Sequence, residues 1–166
     1  AEICVFNRYG YDRIVTVPNT RGITEALGGT FIYPEKGVPY AGEPFLQSFE
    51  QLNVMEPVDA FKSERIRTFA RGEIVPIEAS IGGPFTIAAN LRGVKRLLRD
   101  CRKYPEEVLR LLRIITDSQK SCIDMAAKYG LGIAMADPVA NPALIGPKMY
   151  EKFVFPFTKE LTDYTA

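Results

Sequence analysis

The stretch that most constrains this fold runs from residue 133 to residue 157, with the sequence IAMADPVANPALIGPKMYEKFVFPF. Residues 133–136 form an unbroken apolar run, which predicts a strand covered on both faces. Asp137 is the first charge after this run and is expected at the strand's carboxyl end. Barrel enzymes place functional groups where a parallel strand meets its loop. Asp137 is therefore the candidate catalytic residue.

The residues after Asp137 predict a loop followed by a helix. Pro138 and Pro142 favour extended backbone in a loop that also contains Asn141. Pro147 is expected at the first helical position, where its missing N–H costs nothing. Apolar side chains then recur at helical spacing as far as Leu161, which predicts one amphipathic helix packed against the sheet.

Composition limits the chemistry that this chain supports. The 166 residues carry a net charge of +1, which argues for neither nucleic acid nor a membrane surface as a partner. The chain has no His, the commonest general base and zinc ligand. Cys4, Cys101 and Cys122 are an odd number at wide spacing, which predicts buried thiols in a reducing cytoplasm. The sequence does not begin with Met, and its first residues already belong to an apolar pattern, as expected of a piece of a longer protein.

Two earlier stretches also end predicted strands with polar or glycine residues. Asn19 and Arg21 follow a strand over 14–17, either to orient a bound anion or amide or to form a turn. Gly82 and Gly83 form a tight exit loop after a strand over 74–81, and a helix starting at Pro84 follows. Backbone N–H groups there either approach a ligand at the positive end of the helix or simply form the turn. Asn90 lies later in that helix, where an Asn is more often exposed than functional.

The remaining elements complete an alternating α/β pattern. A hairpin is predicted over 30–47 with Gly37 in its turn, and helices are predicted over 61–71, 93–103 and 105–129. The second of these helical stretches, 93–103, has a basic face that is either solvated or a docking surface for an acidic partner, comprising Arg92, Lys95, Arg96, Arg99, Arg102 and Lys103. Parallel α/β units follow, in an open doubly wound sheet or in part of a (β/α)8 barrel.

Three long motifs resemble the uroporphyrinogen decarboxylase superfamily. They are YGYDRIVTVPNTRGITEALGG near the start, IGGPFTIAANLRG in the middle, and ADPVANPALIGPKMYEKFVFPF near the end. The resemblance implies an incomplete (β/α)8 barrel, with residues 1–166 as the central segment of one barrel domain. It weakens over residues 56–73, where the family usually has a longer helix, which implies that segments of the family's chain are missing there.

Within this superfamily, the sequence is more similar to the methylcobamide:coenzyme M methyltransferases than to the decarboxylases. The decarboxylases carry an Asp, a Tyr and a Ser at the positions that match Asn19, Asn90 and Pro138. The DPVANP loop instead resembles the methyltransferases, which have an acid followed by Pro and Ala. The resemblance implies methyl transfer from methylcobamide on a corrinoid protein to a thiol. It also implies pocket or corrinoid contacts at Asn19, Arg21, Gly82, Gly83, Asn90, Pro138 and Asn141.

The same resemblance implies a zinc ion that activates the thiol, with ligands C-terminal to Ala166. Asp137 would then orient a zinc ligand or a corrinoid amide, or only cap its own loop through backbone N–H groups. Two alternatives stay open: a uroporphyrinogen decarboxylase, and a binding module of the same fold without catalysis. An isolated, unclosed barrel segment would also expose strand edges and apolar faces, so association into an oligomer is expected.

Overall fold

The computed structural model describes residues 7–10, 14–15, 20–63 and 77–165. Two turns of 3₁₀ helix, Phe49–Asn53 and Pro138–Ala140, accompany the regular elements. In chain order these elements are β1 (Ile14–Val15), α1 (Thr20–Ala26), β2 (Phe31–Ile32), β3 (Tyr40–Ala41), β4 (Ile77–Gly82), α2 (Pro84–Arg92), α3 (Val94–Lys103), α4 (Pro105–Lys128), β5 (Gly132–Ala136), α5 (Pro142–Ile145), α6 (Pro147–Phe153) and α7 (Phe155–Thr165).

The central feature is a three-stranded parallel sheet in the order β1–β4–β5. Val15 pairs with Glu78, and Gly82 pairs with Ala136 at the other end of the β4–β5 ladder. One further bond, from the Gly83 N–H to the Ala136 carbonyl at 2.7 Å, extends that ladder beyond the strands. The carboxyl ends of β4 and β5 are therefore fixed side by side. The sheet formed by the described residues does not close into a barrel.

The predicted strand after residue 132 is confirmed, but its expected burial on both faces is wrong. Gly132 and Ala136 are exposed, and the three residues between them are only partly buried. Within the described sheet β5 pairs with β4 alone, so its other edge lacks a neighbouring strand. An apolar sequence shows that a strand is suited to burial on both faces. How much of it is buried depends on the elements that pack against it.

The loop after Asp137 was expected to be extended, and the structure corrects this. Pro138 begins a 3₁₀ turn and Pro142 begins α5, each at the first helical position. Proline restricts the residue before it, and Asp137 and Asn141 are indeed non-helical, with φ, ψ of −123°, 69° and −65°, 125°. The residues after a proline remain free to form a helix, because its fixed φ suits a first turn.

The single helix expected from Pro147 to Leu161 is interrupted. It ends at Phe153, and α7 begins at Phe155 after a break at Val154, whose φ of −117° departs from helical values. Pro156 explains the break, because it has no N–H to donate and its ring clashes with the carbonyl four residues earlier in a continuous helix. The apolar spacing remained helical across the break and concealed it.

Among the remaining predictions, the hairpin is confirmed and the exit turn after the second predicted strand is corrected. The hairpin is present, with Phe31 opposite Ala41 and Gly37 at a φ of 117° in the turn. Gly82 differs from the prediction, because it is the last residue of β4 and only Gly83 forms the exit turn. The predictions for Cys4, residues 16–19, residues 64–71 and the start of the second strand at 74–76 lie outside the described residues.

The core lies where α2 meets α1, α3 and α4. Phe85, Ile87 and Leu91 of α2 are fully buried, as are Leu112 and Ile115 of α4. Eight of the nine residues in α2 are buried, all except Asn90, so this helix is interior rather than amphipathic. Such burial fixes the position of the N-terminus of α2 at the ends of the parallel strands.

Candidate functional site at the strand ends

The candidate site is organised by the contact between Asp137 and the N-terminus of α2. Asp137 Oδ2 accepts a hydrogen bond from the Phe85 N–H at 3.1 Å, and Oδ1 accepts one from the Thr86 N–H at 2.8 Å. Gly83, the residue in the N-cap position, has no side chain to satisfy these N–H groups. Asp137 therefore caps α2 from the neighbouring strand, 51 residues away from Thr86 in the chain.

Thr86 connects this cap to the loop that follows Asp137. Its hydroxyl donates to Asp137 Oδ1 at 2.5 Å and accepts from the Val139 N–H at 3.1 Å. The Ala140 N–H also donates to the Asp137 carbonyl at 3.0 Å. These bonds fix the 3₁₀ turn after β5 against the first turn of α2. The sequence interpretation did not single out Thr86, although a Thr in the first turn after Gly-Gly-Pro was the available signal.

Gly83 is required by the closeness of this contact rather than by its backbone conformation. Its φ of −67° is accessible to any residue. However, a Cβ atom at this position would overlap Cβ, Cγ and Oδ2 of Asp137. The glycine predicted to let a ligand approach the backbone here admits the protein's own carboxylate.

The electrostatic environment of Asp137 combines opposing effects. Burial raises the pKa of its carboxyl group above the ordinary value, and the bonds from Thr86 and from the Phe85 N–H oppose that rise. Oδ1 accepts from two donors and Oδ2 from one, and the Ala140 N–H also lowers the pKa by hydrogen bonding to this carboxyl group. The predicted contact with a substrate or zinc ligand remains a prediction, while the capping contacts are observed.

A buried glutamine lies behind the same strand end. Gln119 of α4 is fully buried, and its Nε2 donates to the carbonyl of Gly82. This bond orients the last peptide of β4 from the side of α4. Sequence patterning placed Gln119 on the long helix without distinguishing it from surface polar residues.

The other predicted site residues do not all gather here. Pro138 is exposed at the start of the 3₁₀ turn, and exposed Asn141 caps α5 by accepting from the Ala143 N–H at 2.9 Å. Arg21 on α1 lies over the Tyr33 ring, with 5.8 Å between its guanidinium carbon and the ring centroid. Asn90 lies six residues beyond Pro84, about 9 Å along the helix axis and away from the strand ends. Asn19 lies outside the described residues.

Arg92, which was placed on the predicted basic face, is buried instead. Its Nε donates to Asp100 Oδ2 at 2.8 Å, and its Nη1 donates to the carbonyls of Leu46 and Gln47, both at 2.7 Å. Its guanidinium also lies 4.6 Å from the centre of the Phe49 ring. Helical periodicity could not show this, because Gly93 ends α2 and separates Arg92 from the helix that carries the other cations.

The residues that the structure describes do not fit a zinc ion. The described residues contain no group of three or more Cys, His, Asp or Glu side chains that could hold a metal. Cys101 and Cys122 are buried on different helices, as predicted, and burial raises the pKa of each thiol to about 12. Two buried thiols on different helices do not supply the three or four ligands that a zinc site needs. No helix in the described part is long and apolar enough to span a bilayer.

This arrangement defines the class of protein: a parallel α/β fold whose adjoining strand ends are tied by an acid to a helix N-terminus. The chain belongs to the uroporphyrinogen decarboxylase (URO-D) family, whose family model matches residues 1–166. The resemblance drawn from the three sequence motifs is thereby confirmed.

Similar proteins with curated functions are methyltransferases. The chain is 32% identical over 89 residues to the methylated-thiol–coenzyme M methyltransferase of Methanosarcina mazei. It is 32% identical over 84 residues to methylcobamide:CoM methyltransferase MtaA of Methanosarcina barkeri. A third relative, methylcobamide:CoM methyltransferase MtbA of Methanosarcina acetivorans, is 31% identical over 93 residues. These matches cover 50–55% of this chain and 24–27% of each relative.

A solved structure extends the likeness in fold to nearly the whole chain. A methyltransferase from Methanosarcina mazei superimposes with a TM-score of 0.85 and 22% sequence identity. The superposition covers 99% of this chain and 52% of that protein. The chain thus spans about half of that structure.

Proposed function

We propose that the protein transfers a methyl group from methylcobamide, bound to a corrinoid protein, to a small thiol such as coenzyme M. The observation that carries this proposal is the agreement of the three curated relatives, all of which are named as coenzyme M methyltransferases. The departures from the decarboxylase pattern at Asn19, Asn90 and Pro138 support the same assignment. A soluble cytoplasmic enzyme of one-carbon metabolism is part of this proposal.

We further propose that the sheet is part of an incomplete (β/α)8 barrel. The spatial order β1–β4–β5 follows the order of the parallel strands along the chain. A doubly wound sheet reverses its strand order at a switch point, whereas a barrel keeps adding each strand beside the last. The unreversed order and the helices between β4 and β5 support the barrel.

Within this function, Asp137 acts as a positioning residue. Its bonds to Phe85 and Thr86 hold the 3₁₀ turn after β5 against the N-terminus of α2. Pro138 and Asn141 border the same turn, and Gly83 forms the adjacent exit turn after Gly82 ends β4. The other three predicted contacts, Asn19, Arg21 and Asn90, have no support from this arrangement.

Zinc dependence is proposed for the whole protein only, with ligands supplied by residues other than those described. No catalytic step is assigned to zinc here, because the described residues do not hold it. Zinc content of the whole protein, measured by elemental analysis before and after chelator treatment, tests this part of the proposal independently of activity.

The activity is tested by incubating the purified whole protein with methylcobalamin and coenzyme M. Loss of the methylcobalamin absorbance together with formation of methylated coenzyme M is the expected result. Replacing coenzyme M with a thiol that lacks its sulfonate measures the selectivity for the acceptor. Absence of methyl transfer with every thiol tried, under anaerobic conditions, would contradict the proposal.

The second candidate function is decarboxylation of uroporphyrinogen, because the matching family model carries that description over the entire chain. The two functions are separated by assaying the same preparation with uroporphyrinogen and measuring coproporphyrinogen. We expect no turnover, since the residues that match the decarboxylase Asp and Tyr are Asn19 and Asn90. Clear formation of coproporphyrinogen would reverse the assignment.

A further inference from the structure

A groove with an apolar floor and a cationic rim lies between α3 and the segment after Asp137. Its floor is formed by Leu98 of α3 together with Leu144, Ile145 and Met149, and its volume is about 360 Å³. Arg99, Arg102 and Lys103, from the last two turns of α3, form the rim. We call these seven residues the basic groove.

The rim charges are not neutralised within their own helix. Helix α3 carries five cations and a single acid, Asp100, which is fully buried against Arg92. Arg99 makes one 3.4 Å contact with Asp100, and its side chain remains 57% exposed. Arg102 and Lys103 are also exposed. The seven residues that line the groove include these three cations and no acid, so the lining itself is positively charged.

The floor indicates what kind of partner fits. Leu144 is 50% exposed, and Met149 is partly buried, so apolar surface at the base of the groove faces water. A small anion would neutralise the rim but leave this surface uncovered. An acidic protein surface that presents one or two large apolar side chains would satisfy both features, with the apolar group as anchor and the acids as rim.

We propose that the basic groove docks an acidic protein surface through a central apolar anchor. Helix α5, which supplies Leu144 and Ile145 to the groove, is joined to the end of β5 through the turn that Asp137 begins. Identifying this partner with the methyl-donor corrinoid protein rests on the proposed function. The proposal that the groove binds an acidic surface with an apolar anchor does not depend on the proposed function.

The test uses fluorescein-labelled helical peptides and the whole protein, with binding measured by fluorescence anisotropy. The probe is a Glu-rich peptide of about 14 residues with two Leu residues four positions apart on one face. One control peptide replaces every Glu with Gln, and the other replaces both Leu residues with Ala. The probe is expected to bind at least about tenfold more tightly than either control, with an affinity that falls as salt rises.

Two protein variants locate the binding site. Arg102→Glu combined with Lys103→Glu reverses the rim, and Leu144→Ser changes the floor without altering α3. Each is expected to weaken probe binding about tenfold, which corresponds to about 1.4 kcal/mol. The control, Lys36→Glu combined with Lys95→Glu, changes the net charge equally at exposed sites outside the groove. It is expected to retain binding within about twofold, and circular dichroism checks that all variants are folded.

Several results would overturn the docking proposal. Equal binding to all three peptides, or equal loss in the control variant, would show unspecific charge attraction. A dimer that disappears in Leu144→Ser would identify a second copy of the chain as the occupant. Tighter binding of a single-stranded oligonucleotide than of the probe would indicate nucleic acid. Turnover with free methylcobalamin is expected to be unchanged in the rim variant, and its absence in the wild type would count against the proposed function alone.

Discussion

At the scale of single residues, the best-defined feature is the contact between Asp137 and the first turn of α2. A sequence pattern placed an acid at the end of a strand, and the structure confirms that position. Its partners Phe85 and Thr86 were not predictable, because they lie more than 50 residues away and belong to another α/β unit. Local pattern identifies the end of an element, whereas the partner of a side chain depends on how two elements meet.

We predict that Asp137→Asn destabilises the protein by about 1–3 kcal/mol. The amide keeps the shape of the side chain but places an NH₂ donor against the N–H of either Phe85 or Thr86, whichever way it is oriented. Urea denaturation at neutral pH measures the free energy of unfolding. Asp163→Asn, at an exposed position with a 62% exposed side chain, is the matched control and is expected to change stability little. Equal stability of the two variants would show that the cap contributes nothing.

At the scale of elements, α2 and α3 are joined by the buried pair of Arg92 and Asp100. The two side chains are 7% and 0% exposed, so both charges have lost most of their water. Three further contacts compensate Arg92: the carbonyls of Leu46 and Gln47, and the face of the Phe49 ring. The pair therefore fixes the position of residues 46–47, in the segment after β3, as well as the junction between the two helices.

Removing one member of this pair is expected to cost far more than removing both. Arg92→Met leaves the Asp100 carboxylate buried with little compensation, and a loss of about 3–5 kcal/mol is expected. The double variant Arg92→Met with Asp100→Leu removes both charges and should recover much of that loss. Arg96→Met is the control, because Arg96 contacts only the exposed Gln47 among its described hydrogen bonds. Chemical denaturation of the wild type, of the single variants Arg92→Met and Asp100→Leu, and of the double variant measures the coupling, and additive losses would contradict a buried pair.

The same scale shows where proline misled the sequence interpretation. Pro138 and Pro142 were taken to exclude helix, yet each starts a helical segment, because proline restricts the residue before it. Pro156 is the second residue of α7, and it separates α7 from α6 within a stretch whose apolar residues keep helical spacing. Proline starts a helix where no hydrogen bond from its missing N–H to the carbonyl four residues earlier is needed, and it breaks a helix where that bond would be needed. Apolar periodicity contains no information about this bond.

At the scale of the whole molecule, the alternation of elements was predictable and the burial was not. Strand β4, helix α4 and strand β5 occur where apolar spacing placed them, since long periodic segments carry a strong signal. The half-exposed β5 and the interior helix α2 depend on which neighbours surround them. The same holds for the candidate site. Its location at the strand ends was predictable, but the hydrogen bond from Thr86 to Asp137 and the close approach of Asp137 to Gly83 were not.

The C-terminal helix is held to the rest of the molecule by a charged cluster on α4. Glu160 of α7 accepts from Arg113 at 2.6 Å and from Lys120 at 2.6 Å. Below this cluster, Phe157 and Leu161 are buried in the core. A second contact, from the Tyr164 hydroxyl to Asp124 at 2.8 Å, lies near the end of the same interface. The position of α7 thus depends on both apolar burial and paired charges.

This cluster gives the molecule a predictable sensitivity to acid. Hydrogen bonds from Arg113 and Lys120 lower the pKa of Glu160 in the folded state. A carboxyl group with a lowered folded pKa stabilises the protein fully above its unfolded pKa, about 4.3, and loses this contribution as pH falls through the folded value. Glu160→Gln should therefore lower Tm by about 2–4 °C near neutral pH, if the cluster contributes about 1 kcal/mol.

Thermal unfolding followed by circular dichroism at several pH values provides the measurement. The difference in Tm between wild type and Glu160→Gln is expected to shrink as pH falls below about 4, because protonated Glu160 and glutamine are both neutral. Glu35→Gln, at an exposed position in the turn of the hairpin, serves as the control for loss of one negative charge. A Tm difference that stays constant from neutral to acid pH would show that α7 is held by the burial of Phe157 and Leu161, without help from the charged cluster.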